Sequence, residues 1–170
     1  MEMAISKARQ TDIAMVALQR CGHTGRLGEY VVTAAEQGFM GMIFCSGAPP
    51  GGIVAPYGGI GRALGANPIA WGIPGGSRGR SANGRPIFLD YATSVCAQGK
   101  IQVAADKDEE IPEGWLLDKD GRPTRNPCDQ FEGGVMSPFG GHKGYALGVM
   151  IGLLGGGLSG VGVPLQPGYQ

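Results

Sequence analysis

Neither sign of charge is in excess in this sequence: 14 Lys and Arg face 14 Asp and Glu, and the formal net charge is zero. Without a net field there is no long-range pull toward nucleic acid or an anionic membrane, and neither is expected as a partner. Long apolar runs are also missing. The most apolar stretch, YALGVMIGLLGGGLSG at 145–160, is too short and too rich in glycine to span a bilayer. The opening MEMAISKARQTD has no apolar segment of the kind a signal peptide needs. Cysteine is sparse and scattered. Cys21, Cys45, Cys96 and Cys128 form no CxxC pair and have no histidine at metal-ligand spacing, so no metal site is expected. They read as reduced thiols of a soluble, cytoplasmic protein, with Cys45 and Cys96 in apolar surroundings where cysteine acts as a small buried hydrophobe.

What the chain has in excess is glycine, 33 residues where average usage predicts about 12. No G-X-Y period or low-complexity tract accompanies it, so the glycines serve turns and close backbone approaches. Residues 1–170 have the size of one ordinary domain with one hydrophobic core.

Along the chain, MAISKARQ (3–10) is an amphipathic helix, and the apolar IAMVAL (13–18) is expected as a buried strand. GEYVVTAAEQG is a helix stopped by Gly38, and MGMIFC (40–45) a second buried strand. That β-α-β rhythm predicts parallel pairing in an α/β fold, a mixed sheet flanked by helices. From Gly47 to Gly65 glycine and proline dominate, and a loop of that length is usually functional. IAWGIP (69–74) and PIFLDYA (86–92) read as strands around the polar turn GGSRGRSANGR. SVCAQGKIQVAADK (94–107) reads as a helix capped by Ser94, with DKDEE (106–110) a solvated face. Residues 108–131 read as polar loop, HKGYALGVMIGLL (142–154) as a final apolar helix, and VPLQPGYQ as a tail without a closing element.

Candidate chemistry is confined to a few places. Gly59-x-Gly61-x-x-x-Gly65 has the wrong spacing for a dinucleotide fingerprint, no strand leads into it, and Asn67-Pro68 blocks the helix that should follow. No GxxxxGK[ST] loop exists. His23, in CGHTGRLGEY, is a helix-start histidine or an acid/base. His142 and Lys143, after the Gly140–Gly141 pair, stand at a helix start whose N–H groups favour an anion. The DYATS turn (90–94) is compatible with a ligand lip or with a plain cap.

Taken in order, GHTGRLGEY, APPGGIVAPYGG, RALGANPIAWGIP, PIFLDYATSVCAQGKI, IPEGWLLDKDGRPTRNP and FGGHKGYALGVMIGLLGGGLSG resemble the malate/L-lactate dehydrogenase family. These are the non-Rossmann, NAD(P)-dependent 2-hydroxyacid oxidoreductases that include ureidoglycolate and sulfolactate dehydrogenases and piperideine-carboxylate reductase. The resemblance implies a non-Rossmann cofactor domain, NAD or NADP as cofactor, a small 2-hydroxy or 2-oxo acid as substrate, and a homodimer. It makes His23, followed by Gly25 and Tyr30, the proton donor or acceptor opposite hydride transfer, a task that suits imidazole near neutral pH. It places Asn67 and Pro68, then Asp90, Ala92, Thr93 and Ser94, along the cofactor, with Lys143 in contact with it and His142 beside. Ala66 stands where the family often has threonine, which removes one hydroxyl.

Members of that family are longer, and the resemblance matches this chain to their central segment. The stretch that binds the substrate carboxylate and a later glycine-rich segment are expected outside this sequence. A second expectation follows: a truncated, catalytically silent α/β module that dimerises or holds cofactor only.

Overall fold

The computed structural model describes residues 1–47, 51–76 and 84–163. Three features read from the sequence lie in part outside the described residues: Ala48–Pro50 of the long loop, 77–83 of the polar turn, and 164–170 of the tail. The chain divides into two compact units, Met1–Phe44 with Pro68–Tyr91, and Cys45–Asn67 with Ala92–Gln170. Each unit has its own set of buried apolar side chains.

The first unit begins with α1 (Glu2–Thr11), whose acidic first turn and basic last turn complement the helix dipole. Arg9 in that last turn donates to Gln37 Oε1 at 2.9 Å and lies 5.3 Å from the Phe39 ring centre. The segment 13–18 forms no strand. Ile13 and Leu18 are 85% and 70% exposed, because no neighbouring strand offers its backbone a partner and a short apolar run carries no period of its own. Next comes α2 (Leu27–Glu36), which buries Leu27, Val31, Ala34 and Ala35 along one stripe. It ends as expected at Gly38, where φ is +86°, a conformation that glycine adopts without strain.

Three strands complete the unit, β1 (Gly41–Phe44), β2 (Ile69–Ile73) and β3 (Ile87–Tyr91), in the order β1-β2-β3. All pair antiparallel, which corrects the parallel, mixed-sheet expectation. With no strand ahead of α2 there is no βαβ unit to impose parallel pairing, and α2 covers one face of the sheet instead. On that face Gly41 and Gly72 are cross-strand partners. A Cβ on Gly72 would stand 2.5 Å from the Val31 carbonyl oxygen, and one on Gly41 would stand 2.8 Å from Ala34 Cβ, so both glycines are required by the close approach of the helix. The other face carries Met42, Trp71, Ile73, Ile87, Leu89 and Tyr91, all exposed; β1 is therefore less buried than its sequence predicts.

In the second unit Ile53, Val54, Cys96, Ile101, Ile111, Leu116 and Met136 form the core. The stretch 108–131, expected as loop, instead contains β4 (Leu116–Leu117), β5 (Pro123–Thr124) and a 3-10 turn at Pro127–Gln130. With β6 (Val135–Met136) these strands make a second antiparallel sheet, ordered β5-β4-β6. Two-residue strands leave no alternation to detect. The glycine-rich loop closes on itself through an antiparallel bridge between Val54 and Leu64. Arg62 fastens it by donating to Gln130 O at 2.7 Å and Gly134 O at 3.1 Å. The helix α3 (Gln98–Asp106) starts after Ala97, not Ser94: the Ser94 hydroxyl donates to Cys96 O at 2.6 Å and caps nothing. Finally α4 (His142–Gly152) runs into a π-helical turn, Leu153–Gly157. Among the described residues no helix is long and apolar enough to cross a membrane.

Candidate functional site

The candidate residues fall into two groups, one in each unit. In the first unit His23 is exposed in the loop that leads into α2. Its Nδ1 accepts a hydrogen bond from the Gly25 N–H at 2.9 Å, and Gly25 has φ +70°. An imidazole whose Nδ1 accepts carries its hydrogen on Nε2 when neutral. The Tyr30 hydroxyl, from α2, donates to Thr24 O at 2.8 Å. Asp90, on β3, accepts from the Gly28 N–H through Oδ2 at 2.7 Å. Arg26 pairs with Glu29 and lays its guanidinium 5.3 Å from the Phe88 ring centre. Pro68, half-buried, leads into β2.

In the second unit Asn67, Thr93 and Ser94 are buried, at 0%, 2% and 3% exposure, and Ala92 is half-buried. Their polar groups are turned to the protein's own backbone. Asn67 Nδ2 donates to Gly148 O at 2.8 Å, the Thr93 hydroxyl donates to Ala66 O at 3.0 Å, and Ser94 serves Cys96 as above. Asn67 adopts φ +39°, and its Oδ1 is buried without a partner. Gly148 permits this packing, since a Cβ there would stand 2.9 Å from Thr93 Oγ1. Of these side chains Asn67 bonds the middle of α4 directly and Thr93 packs against it at Gly148, while Ser94 bonds within its own turn.

At the start of α4, Gly140 and Gly141 both have positive φ, +56° and +63°. No side chain caps the helix, so its first N–H groups are left for solvent or an anion. His142 and Lys143 are exposed there, and His142 meets the Tyr57 ring edge-on with centres 5.6 Å apart. Beside them lies a cavity of about 220 Å³, walled by Pro56, Tyr57, Leu117, Ser137, Pro138 and Gly141. Sequence reasoning missed Tyr57, Ser137 and Pro138. The signal for Tyr57 was its place in the long glycine–proline loop.

None of the four cysteines is in a disulfide. Burial pushes the Cys96 thiol up to about 11, only partly offset by the nearby Lys100 charge, so it is a protonated core residue and no nucleophile. Among the described residues no cluster of three or more His, Cys, Asp or Glu side chains is arranged to hold a metal.

The sequence profile of the malate/L-lactate dehydrogenase family matches residues 1–166. The malate dehydrogenase of Pyrococcus abyssi is 43% identical over 167 residues, which are 94% of this chain and 43% of that protein. The L-lactate dehydrogenase of Cupriavidus necator is 42% identical over 98% of this chain and 47% of its own length. The crystal structure of delta1-piperideine-2-carboxylate reductase from Pseudomonas syringae superposes with a TM-score of 0.85 and 36% identity, covering 99% of this chain and 50% of that one. The chain thus spans about half the length of the relatives it matches. On this sequence match and this superposition, it belongs to the malate/L-lactate dehydrogenase family.

Proposed function

We propose that this chain carries the cofactor-binding part of an NAD(P)-dependent oxidoreductase that moves a hydride between nicotinamide and a small 2-hydroxy acid or its 2-oxo counterpart. Malate and L-lactate, named in its relatives' activities, are both 2-hydroxy acids. The observation that carries the reading is His23: an exposed imidazole with one nitrogen held by its own loop, in a chain of this family.

When bound, the nicotinamide supplies the hydride acceptor or donor. The chain supplies the proton chemistry. With Gly25 donating to Nδ1, neutral His23 presents an Nε2–H donor, which in the reductive direction bonds to the 2-oxo oxygen and polarises it. Giving up that proton outright requires the imidazolium, and accepting one at Nε2 in the oxidative direction requires the hydrogen on Nδ1. Either way the Gly25 contact must open, so the short loop around His23 moves during turnover.

The start of α4 fits the phosphates of such a cofactor. It offers uncapped helix N–H groups and the exposed Lys143 ammonium. The adjoining cavity, about 220 Å³, is below the 300–1,000 Å³ or so of a whole small-molecule site. It has room for one ring of a dinucleotide, against the Tyr57 wall. Asn67, Thr93 and Ser94 support this surface from beneath through α4 and its neighbours rather than through exposed side chains.

The experiment is a fluorescence titration of the purified chain with NADH and with NADPH. Saturable binding that weakens on Lys143→Ala is expected, and the tighter of the two names the cofactor. No binding of either at millimolar concentration would overturn the reading.

A further inference from the structure

The helix α2 has no cap from its own sequence: its N-cap residue is Arg26, which places no side chain on the first-turn N–H groups. One of those groups, on Gly28, is met instead by Asp90, sixty-two positions away on β3. At 2.7 Å this is a short, charge-assisted bond. It also sets a carboxylate against the positive end of the helix dipole. Glycine at 28 leaves room for the approach: a Cβ there would stand 3.2 Å from Asp90 Oδ2 and 3.1 Å from Phe88 Cε2, and both side chains would have to give by a few tenths of an ångström. The neighbouring Phe88 takes the Arg26 guanidinium on its face, so β3 holds the first turn of α2 at two points.

His23 stands directly ahead of that turn. Two hydrogen bonds shape its loop, Gly25 N–H to His23 Nδ1 and Tyr30 O–H to Thr24 O, and Tyr30 belongs to α2 itself. The His23 loop is therefore carried on the first turn of a helix whose start is pinned to the sheet by Asp90.

We infer that Asp90 is a positioning residue, which fixes the start of α2 and through it the placement and tautomer of His23. The resemblance set Asp90 along the cofactor; the geometry gives it this other task. The inference concerns catalysis only in so far as His23 is the acid/base proposed above.

The test uses nitrogen-15 NMR of the imidazoles and amide hydrogen exchange in the chain without cofactor or substrate. His142, the other histidine and a member of the other unit, is the internal control. In the unmutated chain neutral His23 is expected as the Nε2–H tautomer, with Gly25 and Gly28 losing exchange protection together as temperature rises. Independent opening of the two amides would overturn the inference without any mutation. In Asp90→Ala, Gly28 should exchange about tenfold faster, the loss expected for a missing helix cap, and His23 should become a mixture of tautomers while His142 is unmoved. Asp90→Asn, which keeps an acceptor oxygen, should restore both readings. If Asp90→Ala frees Gly28 and His23 keeps its single tautomer, Asp90 is a local cap and the inference fails. A His23→Ala enzyme that kept its turnover would sink the functional reading and leave this one standing.

Discussion

Gly41 and Gly72 face each other across β1 and β2, and α2 rests on both. Gly72→Ala would drive a methyl to 2.5 Å from the Val31 carbonyl oxygen, a backbone atom that cannot swing aside. Overpacking of this kind costs about 1–3 kcal/mol. A urea melt of Gly72→Ala should show that loss; an unchanged midpoint would mean that α2 sits farther from the sheet than described.

Asn67 combines a strained backbone with a structural bond to α4. Asn67→Gly keeps the positive φ at no steric cost and loses the Gly148 bond, whereas Asn67→Ala loses the bond and forces a methyl-bearing residue to φ +39°. The alanine variant should therefore be the less stable of the two by about 1 kcal/mol. Equal melting of the two would show that the backbone relaxes out of the left-handed region.

Cys96 makes stability depend on pH at the alkaline end. In the unfolded chain its thiol ionises near the ordinary 9.0, whereas burial delays this to about 11 in the folded protein. Between those values the unfolded state binds fewer protons than the folded one, so stability falls as pH rises from 9 through 11. Denaturation of wild type and Cys96→Ala at pH 8 and pH 10 isolates the effect, with wild type predicted to lose the more. Thiol labelling at pH 8 should modify the exposed Cys21 and Cys128 and spare Cys96. Labelling of Cys96 at a comparable rate would contradict its burial.

How much of this was legible beforehand depends on the distance over which each feature is decided. The helix α2 announces itself through an apolar stripe and a glycine stop, α4 through its continuous apolar run, and β2 and β3 through compact β-rich runs. The run 13–18 has the same composition as a strand, yet a strand exists only where a neighbour pairs with it, and no local pattern records that absence. In β4, β5 and β6 each strand is two residues long and decided by long-range pairing. His23 and Lys143 stood out as candidates because exposed, chemically active residues beside glycine turns are visible in one dimension. Asp90's bond to Gly28 and Asn67's to Gly148 span 62 and 81 positions, and nothing near either residue signals them.

The central claim is that His23 handles the proton in hydride transfer. It is tested most directly by following NADH or NADPH consumption with pyruvate and with oxaloacetate when this chain replaces the matching half of a dehydrogenase of the family, once with His23 in place and once as His23→Ala. The prediction is turnover with His23 in place and a loss of about 10²–10⁴ in kcat for the variant, with cofactor affinity retained. Equal turnover with and without His23 would contradict it.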